Sequence, residues 1–220
     1  MKGFTYRRVK NDVRDAADLA DLLRMNRLPE AWIAPPAVRE LRELVRHRAK
    51  LVALRTGLKA QVHAVLAKQG VRVAVSDLFG VAGRALLEDL PLDPVYRGRV
   101  NSLLRLIDAY GFEIAAVSTR LTGQLARDPG YQALLALPGV GPVLAGVFLA
   151  EIGDVHRFPT AAHLTSWAGL TPRHRESDTT VHRGSITKQG STLVRWAAVE
   201  AVQKTPADAG WLVARRYQLA

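Results

Sequence analysis

The chain has 220 residues, 48% of them hydrophobic, with 31 lysines and arginines against 20 acids and no cysteine. A formal charge of +11 on a sequence apolar enough for a core excludes a disordered basic tail and points to a polyanionic partner, held in part by counterion release. Lack of cysteine excludes disulfides and thiolate metal sites, no run approaches the roughly 18 apolar residues of a membrane span, and the first eight residues lack the apolar core of a signal peptide. A cytoplasmic protein without a membrane partner is expected.

Residues 10–28 read as one helix. Asp12, Asp15 and Asp18 suit the positive end of its dipole, and Val13, Ala16, Ala17, Leu19, Ala20, Leu22 and Leu23 supply an apolar face. Pro29, Pro35 and Pro36 make 29–36 a connector. From Ala37 to Lys68 there is no proline, and apolar residues fall at Val38, Leu41, Leu44/Val45, Leu51/Val52, Leu58, Val62 and Val65/Leu66, with Arg48 and Arg55 interrupting the seam. Residues 95–126 repeat the pattern through Val100, Leu103/Leu104, Ile107, Tyr110, Ile114, Val117, Leu121 and Leu125. An antiparallel helical hairpin and a coiled coil between chains satisfy these stripes equally. Gly111 predicts a local kink, because glycine costs a helix interior about 1 kcal/mol against alanine. Short helical pieces at most are expected in 69–94. The first long helix carries Arg39, Arg42, Arg46, Arg48, Lys50, Arg55, Lys59 and Lys68 against Glu40 and Glu43, either a solvated face or a nucleic-acid face.

Beyond Asp128, Leu137-Pro138-Gly139-Val140-Gly141-Pro142 leads into the apolar run from Val143 to Gly153. That is the form of a helix-hairpin-helix. Gly139 and Gly141, with Val140 between them, let the backbone turn and approach a ligand, and the N-terminal amides of the next helix suit a phosphate. A short helix is predicted from Ala161 to Trp167, closed by Gly169, and a last helix after Ser191 as its cap. Between them, 170–190 reads as an irregular basic loop with Arg173, His174, Arg175, His182, Arg183 and Lys188, followed by Arg195. Strand signals are scarce, and Val71 to Val75 is the best. The fold class is therefore mainly α: a long helical hairpin or coiled coil over 36–127, then a helical domain over 128–220 containing the helix-hairpin-helix.

Two groups could carry chemistry. Asp12 and Asp15 lie one helical turn apart, with Cβ atoms about 5–6 Å from each other. They could hold one Mg²⁺ or half of a two-metal site, or simply complement the helix dipole. Ser177 lies amid cations that could clamp a phosphate (Arg173, Arg175, Arg183 and Lys188) while its hydroxyl attacks phosphorus. Ser185 and Ser191 compete for that role. His174 and His182 are acid–base groups, phosphate contacts or neither.

At these residues the chain resembles the transposases of bridge-RNA-guided insertion sequences, the IS110 group, which join a DEDD RuvC-like domain to a serine-bearing transposase domain. Lys10-Asn11-Asp12-Val13-Arg14-Asp15-Ala16 is similar to the family's final carboxylate pair, and Arg39 to Val71 to its coiled coil. Leu137 to Arg195 is similar to its transposase domain, through Gly169-Leu170-Thr171-Pro172, Gly184-Ser185-Ile186-Thr187-Lys188-Gln189-Gly190 and Leu193-Val194-Arg195. The resemblance implies DNA strand cleavage and rejoining by Ser177 with Mg²⁺ on Asp12 and Asp15. It also implies a guide (bridge) RNA, homo-oligomers formed through the coiled coil, and DNA contacts by Gly139, Val140, Gly141, Arg173, Arg175, His182, Arg183, Lys188 and Arg195. In that frame 1–35 is a remnant of the RuvC-like domain, and 128–220 is the serine domain.

The chain also departs from the family. Glu176-Ser177-Asp178 stands where Ser-Ser-Gly is commoner, and only eleven residues precede Asp12, whereas the family's first Asp and Glu lie upstream of that pair. After about Pro206 the family's helical continuation is left. The expectation is a truncated copy, inactive in cleavage. A non-catalytic helix-hairpin-helix protein that binds nucleic acid is the alternative.

Overall fold

The computed structural model describes residues 11–28, 31–177 and 180–210, without the side chains of 174–182. Its helices are α1 (Asp12–Arg24), α2 (Pro36–Lys68), α3 (Val81–Asp89), α4 (Pro94–Leu125), α5 (Pro129–Leu135), α6 (Pro142–Ile152), α7 (Ala161–Trp167) and α8 (Thr192–Lys204). A 3₁₀ turn spans Val155–Arg157, and strands β1 (Pro172–Ser177) and β2 (Thr180–Ile186) lie between α7 and α8. The chain divides into two units, Met1–Pro35 and Pro36–Ala220. In the first, α1 begins after Asn11, whose Oδ1 accepts from the Arg14 amide at 2.9 Å; Lys10, where the sequence pattern starts it, lies outside the described residues.

Proline opens four of the described helices: Pro36, Pro94, Pro129 and Pro142 are each a first helical residue. At that position the missing N–H would have had no intrahelical partner in any case. The prolines therefore both end the connectors and fix where the helices begin.

α2 and α4 pair antiparallel within the one chain. Arg48 Nε donates to Ser118 Oγ at 2.7 Å, and Arg99 Nη2 reaches Gln61 Oε1 at 3.4 Å, so residues late in α2 meet residues early in α4. The two apolar stripes are thus covered by each other. Towards one end of the hairpin, Val62, Val65 and Leu66 pack with Val100, Leu103 and Ile107, closed over by Leu78 and by Leu87 of α3. Towards the other end, Val45, Leu121 and Leu125 join Ala145, Val147 and Ala150 of α6 and Ala197 of α8. The helical hairpin and the C-terminal helices therefore share a core. α4 continues as one helix through Gly111, and a Cβ there would lie 3.9 Å from Arg55 Nη1.

Two local expectations are corrected. Val71 to Val75 is not a strand; Val71, Val73 and Val75 lay their alternate side chains on the α2–α4 core, so the period of two is satisfied by packing rather than by a ladder. The segment 170–190 is not an irregular loop, because 172–177 and 180–186 form an antiparallel hairpin with a register shift between Pro172 and His174. Its alternation of charged and small polar residues carries no apolar period, so only the ladder hydrogen bonds reveal it.

The α4–α6 crossing is tight. A Cβ on Gly146 would meet Leu121 Cδ2 at 3.0 Å, and Leu121 is fully buried. Leu121→Ala should cost about 3 kcal/mol and lower the melting temperature by about 10 °C in a thermal circular-dichroism scan. A drop of a degree or two would mean that the crossing does not carry the core.

Candidate nucleic-acid interface

The turn between α5 and α6 is built from both sides. Asp128 caps α5, its Oδ1 accepting from the Tyr131 amide at 2.8 Å, and the buried Tyr131 hydroxyl donates to the Pro142 carbonyl at 3.2 Å. Gly139 has φ +85°, and a Cβ on it would lie 2.2 Å from the Ala201 carbonyl oxygen and 2.9 Å from the Thr205 nitrogen. Both its left-handed backbone and its lack of a side chain are required by the end of α8. Gly141 differs: it caps α6 with an extended backbone and no side-chain bond, and a Cβ there meets nothing within 4 Å. Val140 uses its amide within the turn, donating to the Leu137 carbonyl at 3.1 Å. Of the Gly-Val-Gly trio, the Gly141 edge is the one with open space beside it.

The β1–β2 hairpin rises from a built neck. Gly169 (φ +71°) and Gly190 (φ +75°) cross backbone to backbone: a Cβ on Gly169 would lie 2.0 Å from the Gln189 carbonyl oxygen, and one on Gly190 would lie 2.0 Å from that of Trp167. Arg195 clamps the crossing. Its Nη1 donates to the carbonyls of Gln189 at 2.7 Å, Ala168 at 3.0 Å and Gly190 at 3.2 Å, and its Nη2 to Thr192 Oγ1 at 3.2 Å. The Lys188 amide, at φ +58°, donates to the Gly169 carbonyl at 3.0 Å. Arg195, grouped by sequence with the phosphate-facing cations, thus has its guanidinium turned on the protein's own carbonyls. Arg173, Arg183 and Lys188 are exposed. The register sets Ser177 opposite Thr180, Arg175 opposite His182 and His174 opposite Arg183; the side chains of Ser177, Arg175, His174 and His182 lie outside the described residues. Of the competing serines, Ser185 is exposed, whereas Ser191 accepts from the Val194 amide at 3.4 Å as the α8 cap.

Sequence reasoning missed the anchor of this region, Glu151. It lies at 3% exposure near the end of α6 and takes a bidentate pair from Arg46, with Nε to Oε1 at 2.7 Å and Nη2 to Oε2 at 3.0 Å. Arg42 donates to the Ala150 carbonyl at 2.8 Å and the Glu151 carbonyl at 2.9 Å, satisfying the end of α6. Burial pushes the Glu151 carboxyl up. Hydrogen bonds from Arg46 and Ser191, with the charges of Arg46 and Arg42, outweigh it and hold the group below its ordinary value. The Arg157 guanidinium stacks 4.1 Å from Phe158 and 4.7 Å from Trp167. The available signal was a lone acid in an otherwise apolar run, since such a carboxylate must be paired. Several α2 arginines therefore work inside the protein, an outcome between a solvated face and a nucleic-acid face.

Asp12 and Asp15 sit exposed in the first turn of α1. That helix has no buried residue, and Val13 on its apolar side is 80% exposed. Among the described residues no group of three or more acids or histidines could hold a metal ion. Two carboxylates offer at most four oxygens, short of the six of an octahedral Mg²⁺. The described residues do not complete an Mg²⁺ site.

Comparison with known proteins adds an independent line. Residues 131–218 match the family described as "Transposase IS116/IS110/IS902 family", and residues 1–69 match a DEDD transposase family of the IS110 group. The chain is 27% identical over 222 residues to a "Probable family 20 transposase" of Pseudomonas aeruginosa, covering 93% of this chain and 65% of that protein. It is 30% identical over 197 residues to "Putative transposase y4qE" of Sinorhizobium fredii, covering 88% and 47%. A 52-residue stretch is 42% identical to the "Pilin gene-inverting protein" of Moraxella bovis, covering 24% and 16%. The chain thus spans about half to two thirds of the length of the first two relatives. No described helix is long and apolar enough to cross a membrane.

The Glu151 pair sets an expected acid response. A carboxyl held below its unfolded value contributes stability above that value and loses it as pH falls through the folded one. Stability should therefore fall below about pH 4.5, the group's ordinary value, and Glu151→Gln should flatten this limb in urea melts taken across pH. Glu151→Ala should cost about 3 kcal/mol, the low end for a broken buried pair because Arg46 keeps half its surface in water. Equal acid limbs in wild type and Glu151→Gln would show that the pair is not linked to folding. Gly139→Ala should likewise destabilise strongly, and Gly141→Ala barely.

Proposed function

We propose, for a chain that carries transposase domains of the IS110/IS116 family at both its ends, that it acts on insertion-sequence DNA, with Ser177 as the nucleophile of strand cleavage and rejoining. The observation that carries this reading is the clamped hairpin. Ser177 ends β1 in register with Thr180, on an arm whose exposed cations are Arg173, Arg183 and Lys188. Attack by the serine oxygen on phosphorus breaks the bond to one sugar oxygen and leaves the strand as a serine phosphodiester. The serine proton passes to a base, and the departing oxygen takes one up. Attack by another strand's hydroxyl reverses the process and frees the serine. Cations around the phosphate stabilise the charge that develops. His182 and Arg175 belong to the same proposed surface, as does the open Gly141 edge of the α5–α6 turn, proposed as a helix-hairpin-helix.

The family suggests use of a divalent metal. Asp12 and Asp15 are the positions at which this chain would offer ligands, but no step is derived through that ion, since the described residues do not complete its site. A guide RNA, homo-oligomers formed along the α2–α4 helices and a cytoplasmic location belong to the same proposal. The alternative, a nucleic-acid-binding protein without catalysis, keeps the cationic hairpin and drops the serine chemistry.

Binding should be salt-dependent and tolerant of sequence, and neutralising Arg183 or Lys188 should flatten the slope of log affinity against log salt by about one unit each. Unchanged slopes would remove those residues from the interface. The chain alone with Mg²⁺ should bind DNA and leave it uncut. Mixed with the Pseudomonas aeruginosa relative, it should form a covalent adduct between DNA and this chain that is lost on Ser177→Ala. DNA binding without any adduct favours the non-catalytic alternative, and cleavage that survives Ser177→Ala puts the nucleophile elsewhere.

A further inference from the structure

Away from the hairpin, the C-terminal helices leave a groove of about 340 Å³ where α8 and α6 approach the α2–α4 pair. Its walls are almost wholly apolar: Val52 and Ala53 of α2, Val147 of α6, and Leu193 and Trp196 of α8, with Leu121 beneath. Two features distinguish it from an ordinary packing defect. Trp196 is 40% exposed, a large aromatic surface left open at the rim. Arg48 lines the same groove half-buried, and its hydrogen bond goes to the neutral Ser118 hydroxyl.

No carboxylate among the described residues neutralises Arg48. The charged group that acts on it is Arg55, and burial together with that like charge lowers its basicity from the ordinary value. A half-buried cation without a counter-ion is costly, and no acid lies among the groove's lining residues. The charge is complementary to an occupant that brings an anion next to a flat apolar group.

We infer that this groove receives one unstacked nucleotide of a single-stranded nucleic acid, its base against the Trp196 indole and its phosphate on the Arg48 guanidinium. The volume suits a nucleotide-sized ligand. Base–aromatic stacking with a neighbouring guanidinium is the recurrent way such strands are held without reading their sequence. The inference rests on the proposed nucleic-acid partnership but not on Ser177, whose arm it does not use. It gives the protein a second point of grip on strand that has left the duplex, separate from the cationic hairpin.

The test compares two ten-nucleotide probes of equal charge, oligo-thymidine and its abasic counterpart, by fluorescence anisotropy on the full chain. Wild type should bind the thymidine probe about tenfold more tightly than the abasic one. Trp196→Ala should bring the two affinities together while leaving abasic binding unchanged, and Trp196→Phe should keep most of the preference. Arg48→Gln should weaken both probes and lower the salt slope by about one unit. Ala53→Glu, at an exposed α2 position on the groove wall, puts a carboxylate in the space the nucleotide would take and should remove the preference without touching the core, which keeps the test decisive if Trp196→Ala fails to fold. Equal binding of both probes by wild type overturns the groove, as does a preference that persists in Trp196→Ala or in Ala53→Glu. Loss of binding as the protein self-associates also overturns it, by giving the groove to a second copy of the chain. No binding of either probe also overturns the groove, and no binding of duplex DNA in the same assay sinks the nucleic-acid partnership itself.

Discussion

A carboxylate in the low-dielectric interior costs several kcal/mol unless its charge is matched and its lone pairs are filled. Glu151 meets that condition through residues of α2 and the start of α8. Arg46 reaches it from α2 with a two-point fork, Ser191 adds a hydrogen bond from the position that caps α8, and Arg42 closes the last carbonyls of its own helix. A fork has one good geometry, so the pair fixes how far α6 has slid along α2. The Ser191 bond then fixes where α8 begins. The β1–β2 hairpin ends a few residues before that point, so its placement depends on a buried carboxylate.

From there the constraint passes through glycine. Gly169 and Gly190 let two backbone segments cross at a distance no Cβ would permit, and Arg195 ties the crossing by donating to carbonyls on both sides of it. The hairpin's sequence is polar along most of its length and carries no apolar period. Arginine suits that clamp because its planar, always-charged group satisfies several carbonyls together.

The excess positive charge is consequently divided. Arg42, Arg46, Arg157 and Arg195 are engaged with carboxylate, carbonyl or aromatic groups, while Arg173, Arg183 and Lys188 are exposed on or beside the hairpin. Net charge alone overstates the cationic surface offered to a polyanion. Only the second set should answer to salt, whereas loss of the first should answer to denaturant.

The sequence by itself determined the helices. Their stripes of apolar residues, their opening prolines and the Asn11, Asp128 and Ser191 caps are local features, written within a few residues of where they act, and α2, α4, α7 and the start of α8 fall within a residue or so of the pattern. The glycine-rich turn and the short helix closed by Gly169 were legible for the same reason. Tertiary structure decided what these elements met. That the two long stripes cover each other within one chain, that Gly139 faces the end of α8, and that Arg46, some hundred residues before Glu151, is its partner all depend on contacts with no sequence period. The hairpin at 172–186 lay beyond reach as well, because its residues show no apolar alternation to read. Its ladder exists only once the two glycines at the neck bring its ends together.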